Sequence, residues 1–403
     1  MLTKRLHAFA QAVRQQVNLP AQVRLWNGET FNLGEYATPR IVITVCGPMA
    51  LPHLISPSLD SLGTAYVKGH IDVEGPLNEV IDLSYALSKF SESMRRGGSL
   101  LTKTRDFIFH SRDSDRRAIQ YHYDVSNDFY RLWLDDNMLY SCAYFEHGDE
   151  DLPLAQVKKL DHILKKIRLR PGDTLLDIGC GWGALAIRAA QTLGAQVTGV
   201  TLSKNQCDFA RARVRALGLE QQVRIEFRDY RDVTGQYDRI TSVGMFEHVG
   251  RAHLTEYFKT IDSLLKTDGL CLNHGITLSD AERNETPLGA GRFIDTYVFP
   301  DGEVPHISQV LSTMQNGGLE ILDVENLRRH YTRTLQLWSE NYEQHAERIR
   351  REVAEEQFRI WRVYLAGCSY AFEQDHVSIY QVLCHKAGLS SKTLEWSRRY
   401  MYE

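Results

Sequence analysis

The chain has 403 residues, which at roughly 150 per domain suggests two or three domains. Apolar residues make up 43% and charged residues 24%, an ordinary globular balance that argues against disorder. The net charge of −4 leaves no global basic field, so nucleic acid is not an expected partner.

The apolar runs are short, such as Ile41–Val45, and fall well below the ~20 residues of a membrane span. Lys4 and Arg5 precede no apolar segment, so no secretion signal is expected. The seven cysteines form no C-x-x-C pair and no His/Cys cluster with zinc spacing. We therefore expect free thiols in a reducing cytosol and no metal site.

Residues 1–90 read as a small mixed α+β domain. Val23–Trp26, Asn27-Gly28 and Thr30–Leu33 predict a hairpin, Ile41–Val45 a strand, and Asn78–Lys89 a helix. Residues 91–120 read as a basic linker: from Arg95 to Arg117 there are seven Lys/Arg against three Asp. A solvated connector is one reading, and an amphipathic patch that touches an anionic membrane surface is the other.

From about residue 170 the pattern becomes strand, helix, strand. Thr174–Ile178, Gln196–Leu202, Val223–Phe227, Tyr237–Gly244 and Gly269–Leu278 predict strands. Ala184–Leu193, a segment opening at Ser203, and His253–Lys266 predict the helices between them. Val304–Gly317 predicts a helix, Leu319–Val324 a strand, Tyr331–Leu365 mostly helix, and Val377–His385 a last strand. This alternation predicts a doubly wound, Rossmann-like α/β sheet over residues 121–403.

Leu176-Asp177-Ile178-Gly179-Cys180-Gly181-Trp182-Gly183 falls where the first of these strands turns into its helix. The spacing G-x-G-x-G is not the G-x-G-x-x-G of a pyrophosphate cradle. D-x-G-x-G-x-G is instead the pattern of S-adenosylmethionine-dependent methyltransferases. The second strand ends Val200-Thr201-Leu202-Ser203-Lys204-Asn205-Gln206 without an acid, which counts against a dehydrogenase and against a generic methyltransferase, and leaves Thr201 and Gln206 as its polar groups. Asp229, closing the third strand, is a candidate acceptor for an adenine amino group.

These residues, taken with others, resemble the cyclopropane-fatty-acyl-phospholipid synthase family. The resemblance rests on Tyr121 to Tyr130, Tyr140-Ser141-Cys142-Ala143-Tyr144-Phe145, the Gly loop, and Met245-Phe246-Glu247-His248-Val249-Gly250. Phe293 to Pro300 and His330 to Leu335 extend it toward the C-terminus, and Leu62 to Tyr66 and Gly69 to Gly75 match less specifically. It implies transfer of a methylene from S-adenosylmethionine to a cis double bond of a phospholipid acyl chain. The alkene attacks the methyl, and the resulting carbocation loses a proton as the ring closes. Such a cation needs a dry aromatic pocket and a nearby base. In this family the base is bicarbonate, and the matching positions are Cys142, Glu247, His274 and Tyr331 with the backbone of Ile276. Cys368 matches a cysteine sometimes described as a nucleophile, although its small neighbours favour a pocket-lining role. The cofactor candidates are Tyr140, Ser141, Asp177, Gly179, Gly181, Gly183, Thr201, Gln206 and Asp229. The segment Asn273-His274-Gly275-Ile276 departs from the more usual His-Thr-Ile.

The resemblance further implies a cytoplasmic enzyme, peripheral at the inner membrane face, whose partner is the phospholipid bilayer surface; a homodimer is left open. The alternatives are a relative with another acceptor, such as a methyl-branched or hydroxylated lipid or a small amine, a dinucleotide oxidoreductase, and a non-catalytic lipid-binding protein.

Overall fold

The structure is a computed structural model, and it describes residues 2–95, 126–282, 286–300, 302–388 and 394–403. The segment Tyr121–Val125 of the first motif and nearly all of the basic linker, including Arg96, Lys103 and Arg105, lie outside the described residues. The described chain divides into two compact units, one drawn from 1–108, 285–300 and 342–371 and the other from 109–284, 301–341 and 372–403.

The first unit opens with a helix, Leu2–Gln16, that the sequence reading does not predict. Its buried residues Leu6, Ala10 and Val13 recur at helical spacing. Strands β1 (Ala21–Arg24) and β2 (Thr30–Asn32) form the expected antiparallel hairpin. Gly28, at φ 86°, turns it in the left-handed region. β3 (Ile41–Val45) pairs with β1 and with β4 (Ile71–Glu74), giving the order β2-β1-β3-β4. The last helix of this stretch, Leu77–Arg95, runs past residue 90.

The second unit is built on seven strands: β5 (Thr174–Ile178), β6 (Gln196–Thr201), β7 (Val223–Phe227), β8 (Tyr237–Val243), β9 (Leu265–Leu278), β10 (Leu319–Asn326) and β11 (Val377–Lys386). Their order is β10-β11-β9-β8-β5-β6-β7. β7, β6, β5, β8 and β9 are mutually parallel, while β11 runs antiparallel to both of its neighbours. The chain leaves β5 toward β6 and later returns to β8 on the other side, so the carboxyl ends of β5 and β8 form the topological switch point where ligands bind in such sheets. β5 is buried at four of its five positions, as helices on both faces require.

Candidate active site

A cavity opens at that switch point, walled by the strand-to-helix turns after β5, β6 and β8 and by residues 138–141. Seven of the nine cofactor candidates line it: Tyr140, Ser141, Asp177, Gly179, Gly181, Thr201 and Gln206. Gly183 instead forms the N-cap of the helix Ala184–Leu193, and an added Cβ there would lie 3.0 Å from that of Ala210. Asp229 is not among the lining residues. Its carboxylate accepts from Arg231 at 2.6 and 2.9 Å, while its neighbours Arg228 and Tyr230 reach the wall.

Gly181 has φ 53°, and a Cβ built on it would meet no protein atom within 4 Å. The backbone at this point borders open cavity, as close approach to a ligand requires. On the β6 side the Thr201 hydroxyl donates to Gln206 Oε1 at 2.9 Å, and Ser203 caps the helix Lys204–Ala216 as expected. Tyr140 belongs to an aromatic cluster with Tyr130, Trp133 and Trp338, at ring separations of 5.3–5.8 Å.

The second group of candidates is buried beside the cavity. Glu247 sits in the turn after β8 between the lining residues Met245 and His248. Its Oε1 accepts the Ile276 amide at 2.7 Å, so these two predicted residues are directly joined. Its Oε2 is sealed from solvent without a hydrogen-bond partner among the described residues. Burial pushes this carboxyl up to about 7. His274, 1% exposed, lies on β9 beside Val243 of β8 and Gln381 of β11, and neither ring nitrogen has a hydrogen-bond partner among the described residues. Burial first, then the charges of Lys159 and Lys166, push it down to about 3, so the ring is neutral. Cys142 is fully buried. Its thiol faces the carbonyl oxygens of Ala143 (3.2 Å) and Leu327 (3.8 Å), and burial keeps it protonated. Tyr331 packs edge-on against Trp338 at 5.9 Å, which ties it to the Tyr140 cluster.

Gly275 explains its own departure from the more usual sequence. A Cβ there would stand 2.0 Å from Cε1 of Phe246, so with the Phe246–His248 turn packed on β9 as it is here, any larger residue would have to displace that ring. Cys368 falls in the first unit, where burial pushes its thiol up to about 12. A thiol at that value is a poor nucleophile at neutral pH.

The sequence reading misses Lys159, 1% exposed and part of the cavity wall. It lies on the helix Leu152–Lys166, whose buried positions include 152, 155, 156, 159, 160, 163 and 164 at helical spacing, with His162 and Lys166 buried as well. That period alone marks Lys159 as inward-facing.

Comparison with known proteins follows the same geometry. The family model for mycolic acid cyclopropane synthetase matches residues 110–382, and that of a domain of unknown function (DUF7884) matches residues 8–94. A "probable fatty acid methyltransferase" of Pseudomonas putida is 44% identical over 393 residues, covering 96% of this chain and 98% of its own. The solved cyclopropane synthase MmaA2 of Mycobacterium tuberculosis superposes with TM-score 0.64 at 35% identity, covering 67% of this chain and 98% of its own. The mycolic acid cyclopropane synthase CmaA1, solved with SAH and CTAB, does so with TM-score 0.64 at 36% identity, covering 67% and 98%.

The chain belongs to the mycolic acid cyclopropane synthetase family. The sheet order, with its antiparallel β11, is thus the Rossmann-like methyltransferase fold expected from the Gly loop. Among the described residues no helix is long and apolar enough to cross a membrane.

Proposed function

We propose that this protein is a cyclopropane synthase acting on cis double bonds of phospholipid acyl chains, with S-adenosylmethionine as donor and bicarbonate as base. The donor supplies an electrophilic methyl, and bicarbonate supplies a small proton acceptor. What supports the donor is the open space over Gly181 and the meeting of Gly179, Gly181, Thr201 and Gln206 around one cavity at the switch point. The name of the CmaA1 complex, which holds SAH, points the same way.

The observation that carries the base is the set of orphaned atoms: Glu247 Oε2 and both ring nitrogens of His274, all buried. A buried polar atom without a partner costs ~1–3 kcal/mol, so such a set suits a small ligand that completes it. A carboxyl held near pH 7 can donate from Oε2 while Oε1 keeps the Ile276 amide. A neutral His274 offers one ring N–H. Two neutral donors then meet an oxyanion without the repulsion of a second charge. The aromatic faces of Tyr140, Tyr331 and Trp338 would shield positive charge on the acyl chain from water.

The name of the Pseudomonas putida relative favours a second reading, methylation without ring closure. Expression in a host lacking such lipids distinguishes the readings. Ring formation gives unsaturated chains one CH2 heavier with upfield cyclopropane protons. Simple methylation gives the added carbon without those protons, and unchanged lipids reject both.

A further inference from the structure

Lys159 is a buried cation with no ion-pair partner among the described residues. Its Nζ donates to Ser141 Oγ at 2.7 Å, its one hydrogen bond among the described residues. Its carboxylate neighbours are already engaged: Asp135 accepts the amides of Asn137 and Leu139, and Asp177 accepts the Thr241 hydroxyl. Neither forms an ion pair with Lys159. An ammonium carries three donors, so two N–H groups are left without a partner among the described residues, on a side chain that lines the cavity. A buried charge so placed is costly unless something in the cavity completes it.

The position is also rigid. Gln156, one turn earlier on the same helix, donates to the carbonyls of Leu139 (3.3 Å) and Ser141 (3.0 Å), and the Tyr144 amide donates to the Ala155 carbonyl (3.1 Å). The helix therefore clamps the segment 139–144 on both sides of Ser141, and Lys159 is held before any ligand arrives.

We propose that Lys159 is a binding residue whose ammonium receives a carboxylate-type anion in the cavity, namely the carboxylate at the methionine end of S-adenosylmethionine. The assignment rests on the methyltransferase reading above. Burial lowers Lys159 to about 8, with Asp135, Cys142 and Asp177 opposing the shift, so it remains largely charged at pH 7. A free bicarbonate presents the same chemistry, and the test separates the two sources.

Calorimetry compares the wild type with Lys159→Met, which keeps the stem and removes the charge. The probes are S-adenosylhomocysteine, which carries the carboxylate, and methylthioadenosine, which lacks the amino-acid end. Lys159→Gln is measured in parallel in case the methionine variant does not fold. Loss of a charge-assisted contact predicts S-adenosylhomocysteine binding weaker by about tenfold or more, with methylthioadenosine binding unchanged. Unchanged binding of both probes, with a raised bicarbonate requirement for turnover, moves the anion to bicarbonate and overturns the cofactor assignment. A folded variant unchanged in all three measurements overturns Lys159 as an anion site altogether. A wild type that binds neither nucleoside rejects the methyltransferase reading itself, and the assignment of Lys159 with it.

Discussion

Replacing Glu247 with glutamine should stabilise the protein while abolishing ring formation. In the fold its carboxyl is pushed up to about 7 by burial, against an ordinary 4.5. The unfolded chain releases this proton near 4.5, and the native chain holds it until about 7. Between those values the native state binds more protons, so wild-type stability falls as pH rises. At about 1.4 kcal/mol per pH unit, ionised Glu247 costs on the order of 3 kcal/mol above pH 7. Glutamine keeps an oxygen for the Ile276 amide and carries no charge. Urea unfolding of both proteins in the absence of ligand, from pH 4.5 to 8, reads the difference. The variant should match the wild type at the acid end and exceed it by about 3 kcal/mol at pH 8. A variant no more stable than the wild type at pH 8, or a difference that does not vary with pH, would refute a buried, proton-holding Glu247.

Two further outcomes rest on the structure and a third on the sequence of the basic linker. Gly181→Val meets no protein atom at Cβ but fills space over the loop, so S-adenosylhomocysteine affinity should fall at least tenfold by calorimetry while a cooperative thermal transition persists. Gly275→Ala drives a methyl into Phe246 and should cost about 2–3 kcal/mol in urea unfolding, with turnover lost as the Glu247 turn shifts. Neutralising Arg95, Arg96, Lys103 and Arg105 together should weaken co-sedimentation with anionic vesicles, as added salt should in the wild type; salt-insensitive binding would place docking elsewhere.

What the sequence made legible was local. The Gly loop, the Ser203 cap, the Asn27-Gly28 hairpin and the alternating strands each depend on neighbours a few residues apart, and all appear where the pattern put them. The helix Leu2–Gln16 was not legible because its buried residues are sparse among polar ones. Lys159 was hidden for a different reason. A lysine inside a helical apolar stripe reads as surface charge until the period is followed through it. The bond between Glu247 and the Ile276 amide depends on β9 lying against β8, and the clash that requires Gly275 depends on Phe246 facing it. Such contacts are set by register between distant segments, which no local pattern encodes. The engagement of Asp229 by Arg231 lies only two residues away, yet arginine at that spacing is too common a pattern to have signalled it.

In the proposed reaction a methyl carbon is inserted as a ring and gives up one hydrogen to a base beside Glu247 and His274. The direct measurement supplies the protein with S-adenosylmethionine deuterated at its methyl group and with vesicles of cis-unsaturated phospholipid, and reads the acyl products by mass spectrometry and NMR. The expected product is a cyclopropane whose new carbon carries two deuterons, formed more slowly when bicarbonate is removed. A product whose added carbon keeps all three deuterons, or a rate indifferent to bicarbonate, would contradict it.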